Sequence, residues 1–509
     1  MDSSMPSKIT QVLGLSFVTL VVALTPHLSQ AQVVAIDPAT AIGPTVLRAG
    51  WDIKAWPSRL NTIGEARGLY QDVDANFLRV PFFANAHNED GSVDASEYSI
   101  EIDAIQSVMA VRPDVEIYAS LRLEGANTFP SWVSQPTANW PTQTGRIFGN
   151  TVFRPNPEHY SAMLASFIRF MQDNGVRIDY LGLNNETEGA VPVNRYIATY
   201  DLLPAELAAA GVSNANSNFQ FVGPDSFGLP SARDFVQGLS NFGRLDTIDV
   251  AASHYYPQYI SGNESDWLDL TQISGKPIWH TEIHMPGNTD AINDLSQTLR
   301  DSLSVLFASI RNGVDSYIWW DSGDDLDEVR DVIKREVTTT TLGAHPVLTT
   351  PTYAGKGDNA GEPLFQAFVE DDEVTLWIAN PGGIMNNLPI ALLSGELGEI
   401  IDGRTYLAPD GDNNLLPSDI IPLVITPGES SFRILRIEPQ SVAVVTFSLA
   451  DEAVLLGDIN LDGFVNFLDI APFIARLTSG VYQIEADVDQ NGTVGFLDIT
   501  GLIVALTGG

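Results

Sequence analysis

Residues 178–189 read IDYLGLNNETEG, an apolar β-like run that opens directly into Asn184, Asn185, Glu186 and Glu188. A buried strand running straight into carboxylates is what a parallel barrel produces: its strands are covered on both faces, and their C-terminal ends emerge together at one rim. Seven more runs of this kind lie along the same half of the chain: VLRAGWDI near 47–53, NFLRVPF (76–82), VEIYASL (115–121), FQFVGP (219–224), IDVAASHYY (248–256), KPIWHTEI (276–283) and DSYIWWD (315–321). Between them, stretches such as 157–174 and 290–311 carry apolar residues at three-and-four spacing, as outer helices do. Eight βα units predict an α/β fold, a (β/α)8 TIM barrel, over 32–345. A doubly wound open sheet is the alternative, but the GxGxxG turn that would support it is missing.

What each strand delivers at its end is the informative test. The second offers Arg79, the fourth Asn185 and Glu186, the sixth His254 and Tyr256, the seventh Glu282, and the eighth Trp319 and Trp320. Carboxylates on the fourth and seventh strands face each other across a barrel mouth. Cleaving a glycosidic bond needs such a pair, one group to protonate the leaving oxygen and one to attack or stabilise the anomeric carbon. Strand alternation places Asn184, Glu186 and Glu188 in one phase, so periodicity does not choose between the two Glu. Glu186 is preferred because it follows Asn185 at the strand end; Glu188 reads as a subsite contact or a solvated side chain. HTEIH (280–284) has metal-like residues, but on a strand four residues span roughly 13 Å, so His280 and His284 would not share one ion. His284 is equally a candidate for substrate contact or for packing.

The residues NNE at the fourth strand, WHTE at the seventh, LRVP at the second, SHYY at the sixth and the Trp pair at the eighth resemble the retaining glycoside hydrolases of clan A. PSWV (130–133) is similar to the Pro-x-Trp element of family 30, whose barrel is also followed by a β-sandwich. The resemblance implies Glu186 as general acid/base and Glu282 as nucleophile. It further implies that Asn185 binds the sugar 2-hydroxyl, that Arg79 keeps the nucleophile ionised, that Tyr256 donates to it, and that Trp319 or Trp320 forms a sugar platform. Trp132 of PSWV and His254 would also touch substrate, and catalysis would need no cofactor.

After about 345 the texture becomes β-branched and aromatic, broken by Gly, Pro and Asp, as in LFQAFVEDDEVTLWIANP and SVAVVTFSL. An antiparallel β-sandwich is expected over 346–449, with a strand recruited from residues 32–44. The tail 450–509 then carries DINLDGFVNFLD (458–469) and DVDQNGTVGFLD (487–498). Each fits an EF-hand type calcium loop. The expected ligands are Asp458, Asn460, Asp462, Phe464 through its carbonyl, Asn466 and Asp469 in the first loop, and Asp487, Asp489, Asn491, Thr493 through its carbonyl and Asp498 in the second. Each loop runs into an apolar helix, predicting a small helical calcium-loop pair with structural Ca2+. This tail resembles a type I dockerin, which implies a protein scaffold as partner. It departs from that pattern in holding Phe467-Leu468 and Phe496-Leu497 where dockerins commonly carry a Ser-Thr type pair for cohesin.

At the other end, Lys8 precedes an apolar run from Val12 to Leu24, and Ser29-Gln30-Ala31 supplies small residues, so 1–31 reads as a secretory signal. The run falls short of the roughly 20 residues that span a bilayer, and no membrane span is expected after cleavage. A secreted or cell-surface protein follows. With no cysteine, its stability must come from core and metal ions rather than disulfides. The net charge of −38 argues against nucleic acid as a partner. The leading expectation is a secreted hydrolase cutting β-linked plant or algal polysaccharide within the chain. The competing one is a non-catalytic carbohydrate-binding or surface-assembly protein on a decayed barrel.

Overall fold

The computed structural model describes residues 33–507 apart from 55–57, 59, 124–127, 257–264, 285–294, 321–328, 353–361, 408–416, 419–422, 425–428, 451–455, 461–463 and 490. The expected signal at 1–31 and the candidate ligand Asp462 lie outside the described residues.

The first described strand, β1 (Val34–Ala41), belongs to the second sheet described below. Eight parallel strands close the barrel: β2 (Arg48–Asp52), β3 (Phe77–Phe83), β4 (Glu116–Arg122), β7 (Tyr180–Gly182), β8 (Gln220–Ser226), β9 (Val250–His254), β10 (Ile278–Ile283) and β11 (Val314–Trp319). Each coincides with one of the eight runs read from the sequence. A hairpin, β5 (Thr144–Ile147) and β6 (Asn150–Phe153), is inserted between β4 and β7. The outer helices follow their sequence signals. Between β6 and β7, Pro157–Asp173 starts where the Asn156 side chain accepts from the Glu158 amide with Pro157 in the first turn, and stops where Asn174 gives way to Gly175 at φ 73°.

Phe77, Tyr118, Tyr180, Val222, Val250, Ala252, Trp279 and Ile318 fill the barrel interior. Trp279 meets Tyr180 and Phe77 edge to face at 4.7 and 4.9 Å. This aromatic plug makes the barrel a packed core rather than a pore, leaving chemistry to the C-terminal rim.

The second unit comprises β12 (His345–Thr350), β13 (Leu364–Glu370), β14 (Glu373–Asn380), β15 (Met385–Leu392), β16 (Leu397–Leu407), β17 (Pro417–Ser418), β18 (Leu423–Val424), β19 (Ser431–Ile437) and β20 (Ser441–Leu449). With β1 these form one hydrogen-bonded sheet in the order β17-β16-β20-β14-β13-β12-β1-β15-β19-β18. The strand expected from residues 32–44 is β1, so the first of the residues assigned to the barrel segment 32–345 belong instead to this second, mostly antiparallel unit. Residues 34–41 leave the barrel segment and join the two halves of the second unit, pairing antiparallel with β12 and parallel with β15. That single parallel seam, supplied from upstream of the barrel, makes the sheet continuous.

In the tail, Ile470–Ser479 and Asp498–Thr507 are helical and share a small core of Ile459, Phe473, Ala486 and Leu502. Among the described residues no helix is long and apolar enough to cross a membrane.

Candidate active site

The C-terminal rim gathers a cluster of ionisable side chains around Arg79, which is fully buried. One terminal nitrogen of Arg79, Nη1, bonds to the Asp52 carboxylate (2.9 Å), the Thr281 carbonyl (3.2 Å) and Glu282 Oε1. The other, Nη2, reaches Asn185 Oδ1 (2.7 Å), Asp225 Oδ2 (2.6 Å) and His254 Nε2 (3.4 Å). Arg79 therefore has no terminal nitrogen left for a ligand and acts as the electrostatic hub: it bonds to Glu282, as the resemblance implies, and is not placed to contact substrate.

Glu282 is held by more than the arginine. Lys54 Nζ lies 2.8 Å from its Oε1, and the Tyr256 hydroxyl donates to its Oε2 at 2.6 Å. Burial would raise the Glu282 pKa, but His254, Lys54 and Arg79 outweigh it and hold the carboxyl well below the usual range. Burial pushes the Tyr256 phenol far up, and the charges of Glu282 and Glu186 add to this, so it is a neutral donor.

His254 joins the two Glu. Its Nδ1 sits 2.7 Å from Glu186 Oε1 and 3.2 Å from Glu282 Oε2, while Nε2 is 3.2 Å from Asp225 Oδ1. Burial would lower its pKa, yet Glu282, Asp225 and Glu186 raise it to about 9. His254 has both ring nitrogens engaged and no exposed surface. It is a bridge between carboxylates, not the substrate contact expected.

Glu186 reaches this cluster through an uncommon backbone. The strand ends at Gly182, and Glu186 adopts φ 57° with its amide donating to the Asp225 carbonyl at 2.9 Å; Asp225 itself has φ 56°. Left-handed non-glycine residues meeting at one point are strain that persists where the surroundings over-determine it. The Asn185 carboxamide oxygen accepts from Arg79, leaving its NH2 as the group it can offer a ligand. The second Glu of the opening motif differs: Glu188 is half-buried, its Oε1 is inaccessible with no hydrogen-bond partner, and burial raises its pKa. It is not a solvated side chain.

The remaining predicted positions divide. Trp320 is half-buried and meets His284 edge to face at 5.5 Å, and His284 lies 6.5 Å from the Tyr256 ring, so all three share the mouth. Trp319 does not. It is fully buried, with its indole N–H on Thr338 Oγ1 (3.1 Å) in the helix Val329–Thr341 outside the barrel. Alternation decides this, since Ile318 points inward. Trp132 is half-buried, donates to the His87 carbonyl (3.0 Å) and packs beside His159, with no contact to the carboxylate cluster.

His280 packs on Trp267, outside the barrel, although it shares strand phase with Glu282. A register shift between His280 and Glu282 relative to β9 resets the alternation there, so both Thr281 and Glu282 face the cluster. The HTEIH motif thus splits across the barrel wall. Glu186, His254 and Glu282 have ligand atoms within 4.8 Å of one another, a spacing a cation accepts, but Lys54 and Arg79 already supply positive charge there.

Asp52, Lys54 and Asp225 are absent from the sequence-based site. Asp225 accepts from Arg79, from the Tyr118 hydroxyl (2.7 Å) and from Thr281, and is held far below the carboxylate range: burial opposes this, but Arg79 and His254 dominate. The signal was available, because GPDS at the fifth strand end and WDIK at the first obey the same strand-end rule that singled out Glu186.

Comparison with known proteins adds the following. No protein-family profile matches the chain. A 164-residue stretch is 26% identical to glucuronoxylanase XynC of Bacillus subtilis, covering 32% of this chain and 37% of that protein; the chain thus matches little more than a third of that relative's length. Among solved structures, a GH30 endoxylanase from Clostridium papyrosolvens superposes with a TM-score of 0.56 at 16% identity, over 82% of this chain and all of that one (100%). A glycoside hydrolase family 30 subfamily 8 xylanase from Clostridium acetobutylicum gives 0.55 at 19%, over 82% and 99% of the two chains. An endo-β1,6-glucanase gives 0.52 at 14%, over 82% and 94%. At these identities the likeness is one of fold: a barrel with an appended, mostly antiparallel sheet.

Proposed function

We propose that the barrel hydrolyses β-glycosidic bonds of a xylan- or glucan-type polysaccharide, within the chain and with retention. The observation that carries this reading is the pair Glu186 and Glu282, with oxygens within 4.8 Å of each other and joined through His254. Retaining enzymes place their two carboxyls about 5–5.5 Å apart, whereas inverting ones need about 6.5–9.5 Å to admit a water.

In the first step a Glu282 oxygen attacks the anomeric carbon as the bond to the leaving sugar breaks, and Glu186 gives its proton to the departing oxygen. In the second, Glu186 takes a proton from water, the water oxygen bonds to the anomeric carbon, and Glu282 is released. Arg79 and Lys54 keep Glu282 ionised for attack. Tyr256 donates to the oxygen that does not attack, and His254 holds the Glu186 carboxyl in place. Asn185 offers its NH2 to the sugar beside the bond, and Trp320 with His284 lines the opposite wall. The xylan and glucan preference follows the glucuronoxylanase relative and the xylanases and glucanase that share the fold. A decayed, merely binding barrel would have no need of six buried ionisable groups locked together, Asp52, Lys54, Arg79, Asp225, His254 and Glu282. Reducing-end release from a panel of xylans and glucans, comparing wild type with Glu282→Gln, tests the reading: no release by wild type, or equal release by both, refutes it.

The tail is proposed to bind structural Ca2+ and to attach an exported enzyme to a protein scaffold. The residues fit a hard cation. In the first loop the Asp469 carboxylate accepts from the amides of Asn460 (3.0 Å) and Asn466 (2.8 Å); in the second, Asp498 accepts from Asp489 (3.0 Å) and Gly495 (2.7 Å). Asp487, Asp489 and Asp498 also have oxygens within 4.8 Å of one another. When bound, the ion would supply the charge that closes each loop. Residues 1–31 would direct the export.

A further inference from the structure

The aromatic chain at the mouth does not end at Tyr256. On the side away from His284, its ring stacks on Phe227, with centroids 5.4 Å and planes 28° apart; Phe227 in turn meets Phe148 edge to face at 5.6 Å. Phe148 stands at the tip of the β5–β6 hairpin and is 56% exposed. The pairing of Ile147 with Asn150 leaves Phe148-Gly149 as a two-residue turn, with φ of 45° and 80°.

Such a turn ordinarily takes Asn-Gly or Asp-Gly, because both residues are left-handed. A Phe in that conformation is strained, and here more than half of the residue is exposed to water as well. Folding favours neither feature. A large apolar ring kept where both backbone and solvent oppose it marks a binding position.

The hairpin has a fixed place against the acid-bearing loop. A Cβ on Gly145 would fall 2.0 Å from the Gly189 carbonyl oxygen, and one on Gly189 would fall 1.9 Å from that of Arg146. Only two glycines permit this crossing, and it seats the hairpin on the loop that presents Glu186.

We infer that Phe148 and Phe227 form a subsite on the leaving-group side of the mouth, taking the C–H face of a pyranose ring of a β-linked polysaccharide. The side follows from the reading of the site proposed above, on which this inference rests: the general acid protonates the leaving oxygen, so the departing sugar lies beside Glu186. With Tyr256, His284 and Trp320, the two Phe extend an aromatic strip across the rim. A strip that continues past the carboxylates on both sides suits a chain bound through its interior rather than at its end.

The test is affinity electrophoresis in native gels containing soluble xylan, mixed-linkage β-glucan or β-1,6-glucan, with hydrolysis of the same polymers measured separately. Wild type is expected to be retarded in at least one gel. There, Phe148→Ala and Phe148→Leu should weaken binding about tenfold, the scale of one well-placed aromatic contact, while Phe148→Tyr binds like wild type. Circular dichroism should be unchanged, because the ring is exposed. Phe227→Ala should weaken retardation in the same gel. The subsite is refuted if no gel retards wild type, or if Phe148→Ala or Phe148→Leu is retarded equally. If wild type is retarded but hydrolyses none of the polymers, the hydrolase reading falls while an aromatic-dependent subsite stands. If wild type hydrolyses a polymer and Phe148→Ala migrates with it, the subsite falls while the hydrolase reading stands.

Discussion

Two of the places where the molecule buries acidic side chains, the barrel rim and the tail, treat them in opposite ways. At the barrel rim, Asp52, Asp225 and Glu282 are ion-paired to Arg79, with Lys54 and His254 beside them. In the tail, Asp469, Asp487 and Asp498 are equally buried, but among the described residues their partners are backbone amides and the Tyr482 hydroxyl, with no ion pair. One cluster carries its own cations and is complete on folding. In the other, these carboxylates are held, among the described residues, by neutral donors alone, which is the ground for the proposal that a cation binds there. Buried carboxylates alone therefore do not identify a catalytic site; what compensates them does.

Breaking the rim cluster should have the largest effect. Glu282→Gln keeps the volume but removes the attacking oxygen, and polysaccharide hydrolysis should fall by at least about 10^4-fold, read as initial rates of reducing-end release. The response of the tail to calcium should not change. Arg79→Met comes next: it strands three carboxylates in the interior and should cost the barrel about 3–5 kcal/mol in denaturant unfolding. A loss below 1 kcal/mol would mean that water reaches the cluster.

The same cluster makes stability depend on pH. The folded pKa of His254, raised from 6.5 to about 9, means the folded state holds its proton more tightly than the unfolded chain. The associated stability is fully present below pH 6.5 and is lost as pH rises through about 9. Glu282 acts in the opposite direction. Its pKa is depressed from 4.5, so its contribution is present above that value and declines as pH falls below it. Barrel stability should therefore peak between about pH 4.5 and 6.5 and fall by on the order of 3 kcal/mol toward pH 9. His254→Asn should remove the alkaline decline; a decline persisting in that variant would place its origin elsewhere.

The tail should respond to calcium alone. Among the described residues its core is four buried apolar side chains with six partly buried ones packed against them, a small core whose stability a bound ligand should raise measurably. Calcium at about 100 times its Kd should add about 2.7 kcal/mol to the stability of this segment, and EGTA should abolish its transition in calorimetry while the barrel transition stays in place. Asp498→Ala should mimic EGTA for the second loop. An unchanged thermogram would contradict calcium binding by the tail.

Much of the barrel was legible because a strand buried on both faces and a helix with one apolar stripe have different periods, and all eight strand runs coincide with barrel strands. The rim was legible only in part. Glu186, Glu282, Asn185 and Tyr256 stand at strand ends and meet, but their partners Lys54, Asp52 and Asp225 lie at the WDIK and GPDS strand ends, outside the motifs that carry the resemblance. His280 and Glu282 share a sequence phase that a register shift undoes, and no composition signal marks that shift. Trp319 was misplaced by one residue of alternation, the difference between the mouth and the back of the strand. The hairpin carrying Phe148 sits in an insertion that crosses the acid-bearing loop closely at Gly145 and Gly189, a long-range approach that local pattern does not encode.

The central claim, that Glu186 and Glu282 work as a double-displacement pair, is tested most directly by the anomeric configuration of the first product. Proton NMR recorded within the first minutes of hydrolysis of a cleaved β-linked polysaccharide should show the new reducing end as the β anomer, with the α form growing only through mutarotation. The α anomer appearing first would mean inversion, and would contradict the account.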